Sequence, residues 1–176
     1  IICLCYNQEK YLEQAITSVF AQKKNLFEVI VVDDNSSDGS QSLIKKLSKK
    51  YQIKHVILHQ KNKGNCKSFN EALKLAKGKY VIDLSCDDYF LEDAVDQQVR
   101  FFESQNVSVG MIFSNALIVN EGGKYLKHHF KVDEREKALE KVPSGRVFVD
   151  VLERYFICVP TMVMRRSWLS DLGGYN

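Results

Sequence analysis

An apolar run that ends in two acids decides the fold of this chain: Phe27-Glu28-Val29-Ile30-Val31-Val32-Asp33-Asp34. Nearly continuous β-branched residues are typical of a strand that helices cover on both faces of a parallel sheet. The residues that follow, 35–38, are turn and helix-cap types, and an apolar stripe at helical spacing comes next, at Leu43, Ile44 and Leu47. The stretch therefore predicts a buried strand, a turn and a helix.

The same strand-then-helix unit recurs on both sides of this stretch. Strands are predicted at residues 1–5, 55–58 and 79–84, and helices at residues 11–20, 68–77 and 91–102. Four such units within roughly a hundred residues favour an open α/β sheet with helices on both faces and right-handed crossovers. The predicted fold class is α/β, a Rossmann-like, doubly wound and mostly parallel sheet.

The pattern changes after residue 107. Residues 109–119 predict a long strand, residues 121–124 a turn and residues 125–130 a returning strand, which together make a hairpin. The charged segment 131–141 predicts an exposed loop or helix. A short helix through Phe148, a strand at 159–164 and a last helix near Trp168 complete the expected extension.

Composition and charge exclude several function classes. The 176 residues are 45% hydrophobic and 27% charged, which is too apolar for a disordered chain. The formal charge of +3, from 25 Lys and Arg against 22 Asp and Glu, is far from the basic footprint of a nucleic-acid-binding protein. We expect no nucleic-acid partner. No apolar run reaches the ~18 to 20 residues of a membrane span, so no transmembrane segment is expected in this chain.

The cysteines indicate where the protein resides rather than what it binds. Cys3, Cys5, Cys66, Cys86 and Cys158 form an odd set without CxxC spacing. Neither a disulfide framework nor a zinc site is indicated, and a reducing compartment fits best. The four histidines have no third metal ligand in register and are expected to be structural or exposed. We expect a cytoplasmic protein, either free or peripheral at the inner face of a membrane.

Polar residues follow each of the four predicted parallel strands. They are Tyr6-Asn7, Asp33-Asp34, Asn62-Lys63-Gly64-Asn65 and Ser85-Cys86-Asp87-Asp88. Because ligands of open α/β sheets bind outside the carboxyl ends of the strands, we expect these acids, amides and the lysine to converge on one edge.

The adjacent acids Asp87 and Asp88 are the strongest site candidates. Neighbouring carboxylates repel each other, and a divalent cation removes that cost. Mg²⁺ typically takes one or two carboxylates together with substrate phosphates. The alternative is that one of the two acids only caps the helix predicted from residue 91.

Two other strand ends allow both a functional and a structural interpretation. Asp33 and Asp34 could accept hydrogen bonds from a base or a ribose, or could belong to an ordinary turn and cap sequence. Lys63 and the neighbouring backbone N–H groups could lie near a diphosphate at the start of the next helix, or could form a plain loop.

The residues resemble family 2 glycosyltransferases of the GT-A fold. The resemblance covers nearly the whole chain in the correct order, and its stretches are residues 1–7, 11–22, 28–38, 62–64, 70, 76–88, 161–167 and 172–176. It implies one GT-A domain cut at both ends. Residues 1–106 would form the nucleotide-sugar-binding half, and residues 107–176 would begin the acceptor-side half, which includes Gly173 and Gly174.

The resemblance also implies an activity. A sugar would pass with inversion from a nucleotide-diphosphate donor, most often a UDP-sugar, to a hydroxyl of a saccharide or lipid-linked acceptor. The product would be a surface polysaccharide or glycoconjugate. The enzyme would be of the hexosyl- or N-acetylhexosaminyl-transferase class.

Residue roles follow from the same resemblance. Tyr6 and Asp34 would hold the base, with Asn7 and Lys63 also in the nucleotide-sugar site. Asp87 would hold the ribose or the metal, and Asp88 would bind Mg²⁺ or Mn²⁺. The family pattern often reads Asp-x-Asp-Asp, and its first acid is Ser85 here, so the main metal ligand stays open between Asp87 and Asp88. The catalytic base is expected beyond Asn176, and none is named.

Two rival functions can be weighed from the residues alone. A phospho-receiver signalling module would share the acidic Val31-Val32-Asp33-Asp34 start, with Asp83 at a later strand end. A strand and a helix already precede Val31, however, and no Lys-Pro dipeptide follows a late strand. A sugar nucleotidyltransferase would need a Gly-rich, Arg-containing loop after the first strand, where Cys5-Tyr6-Asn7-Gln8 stands instead.

Overall fold

The computed structural model describes residues 1–22 and 24–176. The helices are α1 (Glu9–Phe20), α2 (Ser40–Tyr51), α3 (Asn65–Leu73), α4 (Ala94–Glu103), α5 (Phe148–Glu153) and α6 (Arg166–Asp171). The strands are β1 (Ile2–Cys5), β2 (Ile30–Asp33), β3 (His55–Leu58), β4 (Tyr80–Ser85), β5 (Met111–Ile112), β6 (Leu117–Val119), β7 (Tyr125–His128) and β8 (Val163–Arg165).

The main sheet has six strands in the order β3-β2-β1-β4-β8-β5. Strands β1 to β4 are mutually parallel, and β8 runs antiparallel to both β4 and β5. The chain builds outward from β1 through β2 to β3 and then returns to the other side of β1 with β4. The topological switch point therefore lies between β1 and β4, where ligands of such sheets bind.

The core lies on both faces of this sheet because side chains alternate along each strand. In β1, Cys3 and Cys5 pack with the apolar stripes of α1, α2 and α4, which include Leu12 and Phe102. Ile2 and Leu4 point to the opposite face and pack with α3. All residues of β1 and β2 are buried, as the continuous apolar runs predict, and the doubly wound α/β fold is confirmed.

The prediction of one long strand over residues 109–119 is wrong. Its first part, β5, joins the main sheet beside β8, and its second part, β6, pairs with β7 in a separate two-stranded sheet. The break falls at Asn115, whose Oδ1 accepts the N–H of Ala116 at 2.9 Å and of Phe130 at 2.8 Å. Its side chain replaces strand pairing at that point. The predicted hairpin itself is confirmed.

Other differences concern element boundaries. Helix α4 begins at Ala94 rather than near Leu91, and α3 runs from Asn65 to Leu73 rather than over residues 68–77. The predicted strand over 159–164 divides into a short 3-10 turn, Val159–Thr161, and β8. Pro160 lies in that turn, and its fixed φ together with its missing N–H favours the turn over a sheet position.

Candidate functional site

A cavity of about 300 Å³ opens at the carboxyl ends of the central strands. Its lining residues are Leu4, Cys5, Tyr6, Gln8, Val32, Asp34, Asn62, Gly64, Asn65, Ser68 and Ser85. A larger cavity of about 450 Å³ lies at the amino ends of the same strands, around Ile1, Ile30 and Tyr80. The smaller cavity is the candidate site because it occupies the ligand-binding end of the sheet and contains a buried carboxylate.

The two acids at the end of β2 have different partners. Asp33 accepts hydrogen bonds from the N–H of Ser36 at 3.0 Å and from Nε2 of Gln41 at 2.8 Å, as well as from the Ser36 hydroxyl. It therefore forms the turn before α2, which is the structural interpretation of this motif. Asp34 points the other way and lines the cavity.

The Asp34 carboxylate is held by three N–H donors. Its Oδ1 accepts from Nδ1 of His59 and from the N–H of Lys63, and its Oδ2 accepts from the N–H of Gly64, each at 2.8 Å. Burial alone would raise the pKa of Asp34, but these hydrogen bonds offset it, and the pKa is lowered. A carboxylate offers about four acceptor positions, so one position remains for a ligand.

His59 connects Asp34 to helix α3. The residue follows β3 directly, is 4% exposed, and its Nε2 lies 2.8 Å from Oε2 of Glu71. The two ring nitrogens thus each face a carboxylate, and the ring links the end of β2 to α3. His59 is therefore structural, as expected for the histidines, but it supports a residue of the site.

The side chain of Lys63 is paired with Glu71 and does not line the cavity. Its Nζ lies 2.7 Å from Oε1 of Glu71, and the Lys63 ammonium, followed by His59, lowers the pKa of that glutamate. The backbone N–H groups of Lys63 and Gly64, which could have met a diphosphate, bind Asp34 instead. Lys63 thus shapes the loop from which the cavity wall is built.

The loop after β1 forms the opposite wall. Tyr6 is half exposed and lines the cavity. Asn7 has a φ of 54° and does not line the cavity: its Oδ1 accepts the N–H of Ser37 at 2.7 Å, which ties the β1–α1 loop to the β2–α2 loop. Gln8 reaches across the switch point and donates from Nε2 to the hydroxyl of Ser85 at 3.0 Å. The loop is thereby fixed to both neighbouring strands.

Asp87 and Asp88 come two and three residues after Ser85, which lines the cavity, but they are not themselves among its lining residues. Neither caps α4, because that helix begins at Ala94 with Asp93 in the capping position. The structural alternative for the acidic pair is therefore wrong. Burial, and then the charge of Asp87, raise the pKa of Asp88 to about 6.

Such a pair of carboxylates fits a divalent cation. The raised pKa shows that Asp88 lacks a compensating positive charge, which a hard cation with oxygen ligands would supply. Within residues 1–22 and 24–176, no group of three or more His, Cys, Asp or Glu side chains is arranged to hold a metal ion. A cation at this pair would therefore complete its coordination with water or with ligand oxygens.

Of the two predicted acceptor-side glycines, Gly174 lies against Asn70 of helix α3, whereas a Cβ on Gly173 would meet nothing within 4 Å. Gly173 and Gly174 have φ angles of 85° and 86°, and a Cβ on Gly174 would stand 2.1 Å from Oδ1 of Asn70. Asn70 holds the backbone of Tyr175 through hydrogen bonds of 2.7 and 2.8 Å, and the Tyr175 ring stacks on Phe69 at 4.2 Å. The segment around Tyr175 is thus fixed against helix α3.

Four residues of the site were not predicted as such: Gln8, His59, Ser68 and Glu71. His59 is the first residue after β3, so the rule that found the other strand ends also indicates it. Glu71 and His59 meet only because α3 packs over β2 and β3. Ser68 has no signal in the sequence, since a serine near a helix start is ordinary.

Fold and site together define an α/β protein with a cavity of about 300 Å³ at the carboxyl ends of its central strands, a buried carboxylate in that cavity and a pair of adjacent acids after β4. Residues 1–173 match the family model described as Glycosyl transferase family 2. The chain belongs to this family.

Individual relatives agree with this assignment. TuaG from Bacillus subtilis (strain 168), a proposed teichuronic acid biosynthesis glycosyltransferase, is 34% identical over 180 residues, which cover 98% of this chain and 71% of TuaG. Staphylococcus aureus TarS 1–349 in complex with UDP-GlcNAc matches with a TM-score of 0.66 and 26% identity, over 99% of this chain and 47% of that one. The predicted GT-A type of fold is confirmed.

A third match shows the fold alone. The mannosyltransferase PcManGT from Pyrobaculum calidifontis, in complex with GDP-Man and Mn²⁺, has a TM-score of 0.69 at 20% identity, over 99% of this chain and 46% of that one. The chain spans 22–25% of the length of three rickettsial glycosyltransferases to which it is 31–33% identical. In the part of the chain that the structure describes, no helix is both long and apolar enough to cross a membrane.

Proposed function

We propose that this protein transfers a sugar from a UDP-sugar to an acceptor hydroxyl with inversion at the anomeric carbon. One observation supports this most: Asp34, held by three N–H donors, lines the same cavity as Ser85, and the acidic pair Asp87 and Asp88 follows Ser85 and Cys86 directly in the chain. A nucleotide needs a base contact and a charge-neutralising group a few bonds apart, and both are provided at one edge of the sheet.

The base side of the site selects by hydrogen-bond type. An ionised carboxylate accepts and cannot donate, and the lowered pKa keeps Asp34 ionised. It therefore favours a base with a ring N–H, such as uracil, over cytosine, whose corresponding nitrogen is an acceptor. Tyr6 adds a half-exposed aromatic face on which a base can stack.

The other predicted residues support this arrangement. Asn7 fixes two loops to each other, and Lys63 contributes the backbone N–H that holds Asp34. Asp87 and Asp88 would hold Mg²⁺ or Mn²⁺, with Asp87 also in reach of a ribose. When bound, such a cation neutralises the charge that develops on the departing diphosphate.

The relatives suggest a role in the synthesis of a cell-surface polymer. TarS is named as a poly(ribitol-phosphate) β-N-acetylglucosaminyltransferase, and the name of TuaG refers to teichuronic acid biosynthesis. By extension, the present protein would transfer hexosyl or N-acetylhexosaminyl groups from its donor to a saccharide or lipid-linked acceptor. Residues 107–176, with Gly173 and Gly174, would begin the acceptor side.

Calorimetry with UDP tests the proposal. We expect wild-type protein to bind UDP in the presence of Mn²⁺ and to lose at least about tenfold in affinity when EDTA replaces the metal. Asp88→Ala should bind UDP weakly and equally in Mn²⁺ and EDTA, whereas Glu92→Ala, an exposed acid on the same loop, should behave as wild type. Metal-independent binding of equal strength by wild type and Asp88→Ala would contradict the proposal.

A further inference from the structure

The cavity contains a buried hydroxyl that makes no hydrogen bond of ordinary geometry within the described residues. Ser68 lies near the start of α3 and is 1% exposed, and its Oγ makes no hydrogen bond with the residues that the structure describes. The residue nevertheless lines the cavity. A buried polar group without a partner destabilises the folded protein. A ligand that enters the cavity can supply the missing partner.

Other helical serines avoid this cost. The hydroxyls of Ser18, Ser48 and Ser104 each donate to the carbonyl three residues earlier, at 2.7, 3.0 and 2.7 Å. Ser68 does not use this local option. Its hydroxyl is therefore available to a ligand, although the helical backbone would allow it the same local hydrogen bond.

Unpaired buried polar atoms are concentrated at this cavity. Across residues 1–22 and 24–176 there are three such side-chain atoms, Oε1 of Gln8, Oγ of Ser68 and Oε1 of Gln98. Gln8 and Ser68 both line the cavity, so two of the three missing partners can be provided by one ligand.

Ser68 is also a neighbour of the one free acceptor position of Asp34. Its hydroxyl favours the charged form of that carboxylate without meeting it in a hydrogen bond of ordinary geometry. A carboxylate that accepts beside a hydroxyl that donates matches a base edge on which a ring N–H stands next to a carbonyl. Uracil has such an edge on both sides of N3, and cytosine has an acceptor nitrogen at that place.

We propose that Ser68 is a base-reading residue, whose hydroxyl donates to a ring carbonyl of uracil while Asp34 accepts the adjacent ring N–H. This inference rests on the proposed function, because it takes UDP to be the nucleotide of the donor. It assigns a contact to a residue outside the acids and loops that the sequence indicates.

The test compares Ser68→Ala with wild type by calorimetry in Mn²⁺. We expect the Kd for UDP to rise about three- to tenfold, as one hydrogen bond is lost, and the weak affinity for CDP to change less than twofold. The melting temperature should stay equal or rise, since the hydroxyl has no partner to lose in the free protein. Ser48→Ala, which removes a locally bonded helical hydroxyl, serves as the control and should leave the Kd for UDP unchanged.

Analogues of UDP in which sulfur replaces a carbonyl oxygen of the ring test the same hydrogen bond in the wild-type protein. Sulfur accepts hydrogen bonds more weakly than oxygen, so either 2-thio-UDP or 4-thio-UDP should bind wild type at least threefold more weakly than UDP. Ser68→Ala should remove that difference.

Three results would overturn the inference. They are an unchanged Kd for UDP in Ser68→Ala, an equal loss for UDP and CDP, and equal binding of UDP and both thio analogues by wild type. Failure of the proposed function would be seen separately, as absence of metal-dependent UDP binding by the wild type, and would overturn both.

Discussion

The acids at the end of β2 and the acids in and after β4 lie on opposite sides of β1 in the sheet, and their surroundings differ. Asp33 and Asp34 accept hydrogen bonds from backbone, serine, glutamine and histidine donors. In the β4 strand and the turn after it, burial dominates, and the pKa of both Asp83 and Asp88 is raised to about 6.

The difference shows that the two strand ends contribute to the site in different ways. On the β2 side the acids are satisfied within the protein, so the position of Asp34 is fixed before any ligand arrives. On the β4 side, Asp83 has only the Tyr175 hydroxyl to offset its burial, and the charge of Asp87 adds to burial in raising the pKa of Asp88. Under the proposed function, a cation with the phosphates of the ligand would compensate Asp88, so nucleotide binding would depend on the metal.

Breaking the β2 side should have the largest effect on stability. His59→Ala leaves Asp34 buried at 6% exposure without the hydrogen bond from the His59 ring, and we expect the free energy of unfolding in urea to fall by about 3 kcal/mol. The control is His55→Ala, which replaces the partly buried first residue of β3. It should lower the free energy of unfolding by less than about 1 kcal/mol.

A double-mutant cycle separates the pair from general packing. In an Asp34→Asn background, His59→Ala should cost at least about 1 kcal/mol less than in the wild type, because the buried charge that His59 compensates is gone. Additive losses would show that His59 acts through its volume alone.

The sequence predicts the central part of the fold because its signals are local. The runs at residues 1–5 and 29–32 are apolar over their whole length, and each becomes a fully buried strand. Residues 109–119 are equally apolar in parts, yet the side chain of Asn115 interrupts them by taking backbone hydrogen bonds. That outcome depends on Phe130, which is distant in sequence, so no local pattern could predict it.

The same distinction holds for the site. Asp34, Tyr6 and the acidic pair could be predicted because a strand end fixes their place. The side chains of Asn7 and Lys63 follow strand ends too, but the partners Ser37 and Glu71 draw them away from the cavity. His59 acquires its role only through Asp34 and Glu71, which come from two other elements.

Replacing Asp83 of β4 should change the free energy of unfolding in the opposite direction. Burial, only partly offset by the Tyr175 hydroxyl, raises its pKa to about 6. An acid with a raised folded-state pKa holds its proton longer in the folded chain, so its favourable contribution is complete below about pH 4 and is lost as the pH rises through 6. Asp83→Asn should therefore match wild type near pH 4.5 and be more stable by about 1–2 kcal/mol at pH 7.5.

The β2 counterpart sharpens this measurement. Asp33→Asn should instead destabilise the protein at pH 7.5 by about 1–2 kcal/mol, since the amide oxygen can keep the bonds from the Ser36 N–H and Gln41, but the amide nitrogen that replaces Oδ2 cannot accept the Ser36 hydroxyl. Urea unfolding at both pH values measures the two signs. Destabilisation by Asp83→Asn at pH 7.5 would show that the β4 acid is satisfied after all, and the contrast between the strands would fail.

Lys63 lies in the loop after β3, on the side of β2 that faces away from β4, and its replacement should have the smallest effect. Its ammonium is held 2.7 Å from Glu71, with both side chains about one-third exposed, so Lys63→Met should lower the free energy of unfolding by less than about 1 kcal/mol. The Kd for UDP with Mn²⁺ should change less than twofold, because the backbone N–H that holds Asp34 is retained. Lys61→Met, on the exposed part of the same loop, controls for the change in net charge. A tenfold loss of UDP affinity confined to Lys63→Met would show that the ammonium leaves Glu71 for the diphosphate, and the fixed side of the site would then extend to the phosphates.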